Sequence, residues 1–166
     1  IQPHIGGDAM LLTGLTKSII EHGSVDDAFV FHHAQGWEEL VEVIDRTSWE
    51  QIVRESGVSR EEIEAAASLY ARSKASIFCW AMGVTHHANG VQNIQHIANL
   101  AISRGMLGGE GRGLMPLRGH SNVQGIGSMG VVPELKSSYL EAMQRRFDVE
   151  LPTRPGLDTL GCMEAA

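Results

Sequence analysis

SIFCWAMGVTHHANGVQNIQHIANLAISRGM, residues 76 to 106, is the stretch that decides the fold. Ser76 to Met82 is a short, nearly continuous apolar run with no outward polar alternation, the pattern expected of a strand buried on both faces of a parallel sheet. The run breaks at Gly83, passes through the polar turn VTHHANG and enters a helix predicted over 91–106. Val91, Ile94, Ile97, Ala98, Ala101 and Ile102 form its expected buried stripe. Strand, polar loop and long helix make half of a βαβ unit. The fold class is therefore α/β, an open and mostly parallel sheet flanked by helices. In such sheets ligands bind at the carboxyl ends of strands, which is where VTHHANG falls.

Upstream, Leu11, Leu15 and Ile19 recur every four residues and predict a helix over 8–22, with Asp8 as N-cap and Gly23 as stop. Three further helix starts follow at Ser24, Ser48 and Ser59. The last two read as capping boxes with Gln51 and Glu62, each pair satisfying the other's orphan backbone donors. Residues 25–73 are thus a run of short helices with solvated acidic faces. A final helix is expected over about 134–147, and no internal repeat is visible.

From Gly105 to Gly130 the sequence holds nine of the chain's 19 glycines. No helix or long strand fits this composition, so a glycine-rich irregular segment is expected there, and such segments are commonly functional. Its second half spells G-x-G-x-x-G at Gly125, Gly127 and Gly130. A dinucleotide turn needs a hydrophobic strand just before its first glycine and a helix opening at its last. Here the approach is HSNVQ and Pro133 follows the third glycine, so both flanks fail. The polar half differs. In RGHSNVQG, Arg118, His120, Asn122 and Gln124 occupy alternate positions, and in an extended segment they would share one face. Gly119 lets the backbone approach a ligand closely. The set suits a large, polar, anionic ligand such as a phosphorylated cofactor, and spacing alone leaves open a loop that bonds only to itself.

Adjacent His86 and His87 point to opposite faces of an extended segment, and no Cys or carboxylate stands nearby at ligand spacing, so a polar lining is expected there rather than a metal site. Cys79 is expected to be a small buried hydrophobe within its apolar run. With Cys162 it makes too few cysteines for a disulfide framework, which fits a reducing, cytoplasmic compartment. The formal net charge of −7 argues against a nucleic-acid partner, and no apolar run reaches the length of a membrane span. The first residues, IQPHIGG, have neither the charged nor the apolar region of a signal peptide. The expectation is an internal piece of a longer protein.

Taken jointly, Trp80-Ala-Met-Gly-Val-Thr-His, Gly105-Met-Leu-Gly-Gly-Glu-Gly-Arg-Gly-Leu-Met-Pro and Arg118-Gly-His-Ser-Asn-Val-Gln-Gly strongly resemble the cofactor-binding region of the molybdopterin oxidoreductases. Within that superfamily (the DMSO reductase type), the chain looks closest to the formate dehydrogenase alpha-subunit-like branch. Pro3-His-Ile-Gly-Gly-Asp-Ala also looks like the family's P-G-T-D-A turn, with Gly7 in place of threonine. The similarity covers residues 1 to about 145.

The resemblance implies a domain over residues 1–150 that binds molybdopterin guanine dinucleotide, with 151–166 a tail or the start of another segment. It implies molybdenum or tungsten held between two such dinucleotides, a two-electron oxidation of a small anionic substrate such as formate, and an electron-transfer subunit as a partner. Position by position, Gly7 and Asp8 should lie near a guanosine. Met82, Gly83, Thr85 and His86 should line a pterin or pyrophosphate. Arg118, Gly119, His120, Asn122 and Gln124 should approach the pterin and the substrate face of the metal, with Arg118 and His120 as the catalytic candidates. Arg118 suits a carboxylate because a guanidinium pairs with it in two-point fashion.

Glutamine is usual in the family where His86 stands, and often where His120 stands. Neither Cys79 nor Cys162 matches the family's metal-ligating position or its cluster-binding cysteines, which should lie upstream with any iron–sulfur cluster. The 166-residue chain by itself should therefore show no turnover. A second reading is a relative that keeps the fold as a binding or assembly module without redox chemistry. The retained RGHSNVQG favours an enzyme, because a dead site should lose its polar lining first.

Overall fold

The computed structural model describes residues 1–132 and 134–166; Pro133, used above against the dinucleotide fingerprint, lies outside them. The chain forms two compact units, Ile1–Leu117 and Arg118–Ala166.

The first unit is built on α1 (Asp8–Glu21), against which α4 (Trp49–Ser56), α5 (Arg60–Arg72) and α7 (Gly90–Ser103) pack. Two apolar clusters carry the packing. Ile19, Ala67 and Leu100 join α1, α5 and α7, while Ile52, Val58 and Ile63 sit where α4 turns into α5. Leu15 touches both clusters. Gly14 lets α1 approach this closely, since a Cβ there would lie 2.8 Å from the Ile52 side chain and 3.1 Å from that of Ile63. The helix ends as its sequence requires. Gly23, at φ +60°, donates to the Ile20 carbonyl while the Ser24 N–H reaches Ile19, so a left-handed glycine closes the last turn.

Two starts differ from the sequence reading. α1 is capped by Gly7, with Asp8 as its first residue, and α2 (Asp27–His33) is capped by Asp26, whose carboxylate accepts from the Phe29 N–H, rather than by Ser24. Ser59 and Glu62 form the complete capping box at α5. At the head of α4 the expected capping box is only half formed, with Ser48 accepting from the Gln51 N–H and no return bond from the Gln51 side chain. α3 (Trp37–Arg46) lies between, tied to α1 by Lys17, whose ammonium donates to the Ile44 carbonyl at 3.1 Å.

The βαβ expectation is met and completed. β1 (Ile77–Trp80) leads through the one-turn α6 (Met82–Thr85) and α7 to β2 (Gly113–Pro116), which pairs parallel with β1 from Ile77↔Gly113 to Trp80↔Pro116. A strand inside 105–130, and a short helix over Val123–Ser128, correct the expectation of a wholly irregular segment. Gly105, Gly108 and Gly111, all at positive φ, turn the chain back so that it can pair. Arg112 then fastens the return, donating to the Lys74 and Gly105 carbonyls at 3.1 Å each.

β1 is not buried on both faces. Phe78 packs on the core and meets Tyr70 edge-on, whereas Ile77 is 53% exposed and the expected burial of Cys79 is not found. The helices of this unit cover one side of the sheet, so a strand with two apolar faces shows one of them to solvent.

The second unit contains α8 (Val123–Ser128), α9 (Ser137–Phe147) and α10 (Thr159–Ala165). None of its described residues is buried. The glycines of G-x-G-x-x-G lie inside and just after α8 rather than at its opening, so they make no phosphate-binding turn.

Candidate functional site

The site grows from two backbone features of the first unit. The first is the N-terminal turn. The His4 N–H donates to the Ser56 carbonyl at 2.7 Å, and the Gly7 N–H to His4 at 2.9 Å. The His4 ring lies directly on Gly57, where any Cβ would collide with it. Gly7 must be glycine here, because a Cβ would stand 2.8 Å from the Glu55 carbonyl oxygen and 3.0 Å from Ser56 Cα. Packing on the end of α4 thus accounts for glycine where the resembling family has threonine. The result is a fixed entry into α1 that sets the Asp8 carboxylate in the first turn, at the positive end of the helix.

The second feature is the turn after β1. Its backbone bonds run from the His86 N–H to Met82 and from the Gly90 N–H to His87. The turn is pinned from below by Asn93, fully buried on α7, whose amide donates to the Val84 carbonyl at 3.0 Å and accepts from Asn89 at 3.3 Å. Gly90 has no room for a side chain, since a Cβ would collide with the Thr85 carbonyl. Gly83 is the opposite case. Nothing lies within 4 Å of where its Cβ would be, so its backbone is open to an approaching group.

The two features meet. Asp8, Leu11 and Leu12 from α1, Cys79 to Ala81 and Gly83 to Val84 from the strand and turn, and Asn93 and Ile97 from α7 line one cleft of about 370 Å³. It lies at the carboxyl end of β1, as the α/β rule requires. His87 bridges its rim, with Nδ1 at 3.4 Å from Asp8 Oδ2. Of the residues singled out from sequence, Asp8 and Gly83 line this cleft directly, Gly7 fixes the turn that presents Asp8, and Met82, Thr85 and His86 belong to the turn that carries Gly83. The Thr85 hydroxyl donates within that turn, to Met82 at 3.3 Å.

Asn93 is the functional residue that sequence reasoning missed. Its position four before Ile97 and seven before Leu100 places it on the buried face, where a polar side chain needs a partner. The buried stripe is accordingly Asn93, Ile97, Leu100 and Ala101, and Val91, expected to be buried, is 75% exposed. His96, half-buried on the same helix, is held below the usual histidine range by that burial.

In the second unit Arg118, Gly119, His120, Asn122 and Gln124 are all exposed. Arg118, His120, Asn122 and Gln124 do not form the extended, one-faced row expected from their alternate spacing. The Val123 N–H turns back to the His120 carbonyl, Asn122 becomes the N-cap of α8 and Gln124 lies on the helix. Turn formation at Ser121-Asn122 and the start of α8 replace the two-residue repeat with a helical one. Among the described residues, no group of three or more His, Cys, Asp or Glu side chains could hold a metal ion, and no helix is long and apolar enough to cross a membrane.

Such a cleft, at the carboxyl end of a parallel strand and lined by a carboxylate and open glycine backbone, lies where open α/β sheets receive their ligands. Comparison with known proteins gives the family. No family model matches the chain. It is 35% identical to Protein YdeP of Escherichia coli K12 over 97% of its own length, and 33% identical to the oxidoreductase Rv2900c of Mycobacterium tuberculosis over 99%. It is 34% identical, over 81% of its length, to the alpha subunit of an F420-dependent formate dehydrogenase of Methanococcus maripaludis. The chain belongs to the oxidoreductase superfamily of these relatives, which includes a formate dehydrogenase alpha subunit. It spans about a fifth of the length of the relatives it matches.

Proposed function

We propose that this chain is the cofactor-binding portion of a molybdenum (or tungsten) oxidoreductase that holds its metal between two molybdopterin guanine dinucleotides and oxidises a small substrate such as formate by two electrons. The observation that carries the reading is the convergence of Asp8 and Gly83, 75 positions apart in sequence, on one cleft at the carboxyl end of β1.

The donor set fits a guanine nucleotide. A carboxylate offers only acceptors, and the guanine edge presents adjacent N–H donors, so Asp8 can take two of them in parallel. Asp8 and His87 keep about a quarter of their side-chain surface exposed, enough for a ligand to reach the carboxylate. The open space at Gly83 is where a flat or phosphorylated group can approach the backbone. Met82, nearly half exposed, and His86 sit on the same turn, from which they would line the pterin or pyrophosphate.

When bound, the metal cofactor would supply the two-electron redox step. The residues of this chain would bind and orient. Arg118 would hold the substrate carboxylate in a two-point contact, and His120 would stand beside it as a proton-carrying or polar contact, with Gly119, Asn122 and Gln124 approaching the pterin. Exposure of the Arg118, His120, Asn122 and Gln124 side chains leaves their polar ends open to a ligand. Electrons would pass to an electron-transfer partner, by way of an iron–sulfur cluster held elsewhere in the parent enzyme.

The test is to assay the whole enzyme with formate and an artificial electron acceptor. Formate-dependent reduction is expected, with none from the 166-residue chain alone. A whole enzyme that carries the metal cofactor but oxidises neither formate nor any other small substrate would overturn the reading in favour of a binding module.

A further inference from the structure

His87 stands between two partners that make opposite demands on one atom. Its Nδ1 lies 3.4 Å from Asp8 Oδ2 and 3.4 Å from Asn93 Nδ2. The carboxylate can only accept, so it needs Nδ1 to carry a hydrogen. The Asn93 amide nitrogen can only donate, so it needs Nδ1 bare. Asn93 cannot turn over to resolve the conflict, because its amide nitrogen already serves the Val84 carbonyl at 3.0 Å and its oxygen accepts from Asn89. Both distances exceed the 3.2 Å or so of a well-formed N–H···O bond, as expected of a ring poised between two contacts.

We infer that His87 is a positioning residue that couples the two halves of the cleft, taking its hydrogen bond from Asn93 when ligand N–H groups occupy Asp8 and giving one to Asp8 when they do not. This rests on the reading of Asp8 as the nucleotide contact. With Asp8 satisfied by ligand, Nδ1 is free to accept from Asn93. Residue 87 is then drawn onto α7, together with the turn that carries Gly83 and His86. With Asp8 unfilled, the ring leans to the carboxylate and the turn is held by Asn93 at Val84 alone. Filling one half of the cleft thus sets the backbone of the other, and by linkage an ordered turn strengthens binding at Asp8 in equal measure.

The probe is GDP added to whole enzyme purified without its cofactor, and the readout is hydrogen exchange. In the parent, GDP should slow exchange severalfold both at residues 5–9 and at the amides of His86 and Gly90. In His87→Asn the donor and acceptor sit on separate atoms, and in His87→Phe neither exists. Both variants should keep protection at 5–9 and lose the GDP-dependent change at 86 and 90. Protection at 5–9 in the parent with no change at 86 and 90 would overturn the coupling while leaving the Asp8 contact intact. So would a GDP-dependent change at 86 and 90 that persists in both variants. Protection at neither place would overturn the Asp8 reading itself, and the coupling with it.

Discussion

Gly83 and Gly90 flank the same turn, and the structure assigns them opposite reasons for lacking a side chain. Alanine at position 90 would drive its Cβ into the Thr85 carbonyl, with the carbonyl carbon at 2.8 Å and Thr85 Cα at 3.1 Å. All three are backbone atoms, so no flexible side chain can yield. Overpacking of this kind costs about 1–3 kcal/mol. For a chain of this size each kcal/mol lowers the melting temperature by about 2–4 °C, so Gly90→Ala should fall by about 2–12 °C. Alanine at position 83 meets open space on a helical turn, so Gly83→Ala should be neutral or stabilising by up to about 1 kcal/mol. Its defect should be in ligand binding, because the new methyl occupies the space the ligand needs. Thermal unfolding of each variant, read beside the guanine nucleotide released by acid from the whole enzyme, separates the two. A Gly90→Ala protein that melts with the parent would refute the packing argument. A Gly83→Ala enzyme with full nucleotide content would refute the claim that ligand approaches that backbone.

Arg118→Lys should cut turnover about thirtyfold to a thousandfold, the equivalent of about 2–4 kcal/mol, because lysine keeps the charge but loses the planar two-point contact. Metal content should be unchanged; loss of metal together with activity would make Arg118 a cofactor anchor instead. Tyr70 donates to the Leu100 carbonyl at 2.9 Å, and burial raises its phenol well above the ordinary tyrosine range. Tyr70→Phe should cost about 1 kcal/mol in denaturant unfolding, and an unshifted ultraviolet titration of the parent tyrosine would contradict its burial. Because burial lowers the His96 pKa in the folded state, the unfolded chain binds the extra proton more readily. Stability should hold above the ordinary histidine range and be lost as pH falls through the lowered value. His96→Phe should flatten that part of a stability-against-pH curve. Amides of 118–130, in a unit with no buried residue among those described, should exchange faster than those of α7 when no cofactor is present, and equal protection would argue against this.

Local signals carried well from sequence to structure. Gly23 stopped α1, and Ser59 with Glu62 capped α5, because these caps depend only on residues a turn apart, whereas the expected N-caps Asp8 and Ser24 gave way to Gly7 and Asp26. The βαβ reading held for the same reason, a change of period from strand to helix within one stretch. Readings that needed knowledge of what covers a surface did not carry. The apolarity of β1 could not reveal that its Ile77–Cys79 face is uncovered in this chain. The stripe on α7 was rotated because hydrophobicity ranks Val91 above Asn93, whereas the turn at Val84 needs a buried donor that only the asparagine supplies. Half of the candidate site was legible as motif, in Asp8 and the Gly83 turn. His87 was legible as polar lining but its partners were not, and Asn93 was missed altogether, since the bonds of both rest on a tertiary contact between α1 and the turn before α7.

The central claim is that the cleft between Asp8 and Gly83 holds a guanine nucleotide, and its most direct test is the nucleotide and metal content of the whole enzyme. Acid release followed by chromatography, with elemental analysis of the same sample, should yield about two guanine nucleotides for each molybdenum or tungsten in the parent. In Asp8→Leu, where the acceptors are gone but the cleft is still filled, that nucleotide content should drop. Parent enzyme that releases no guanine nucleotide, or an Asp8→Leu enzyme that keeps all of it, would contradict the account.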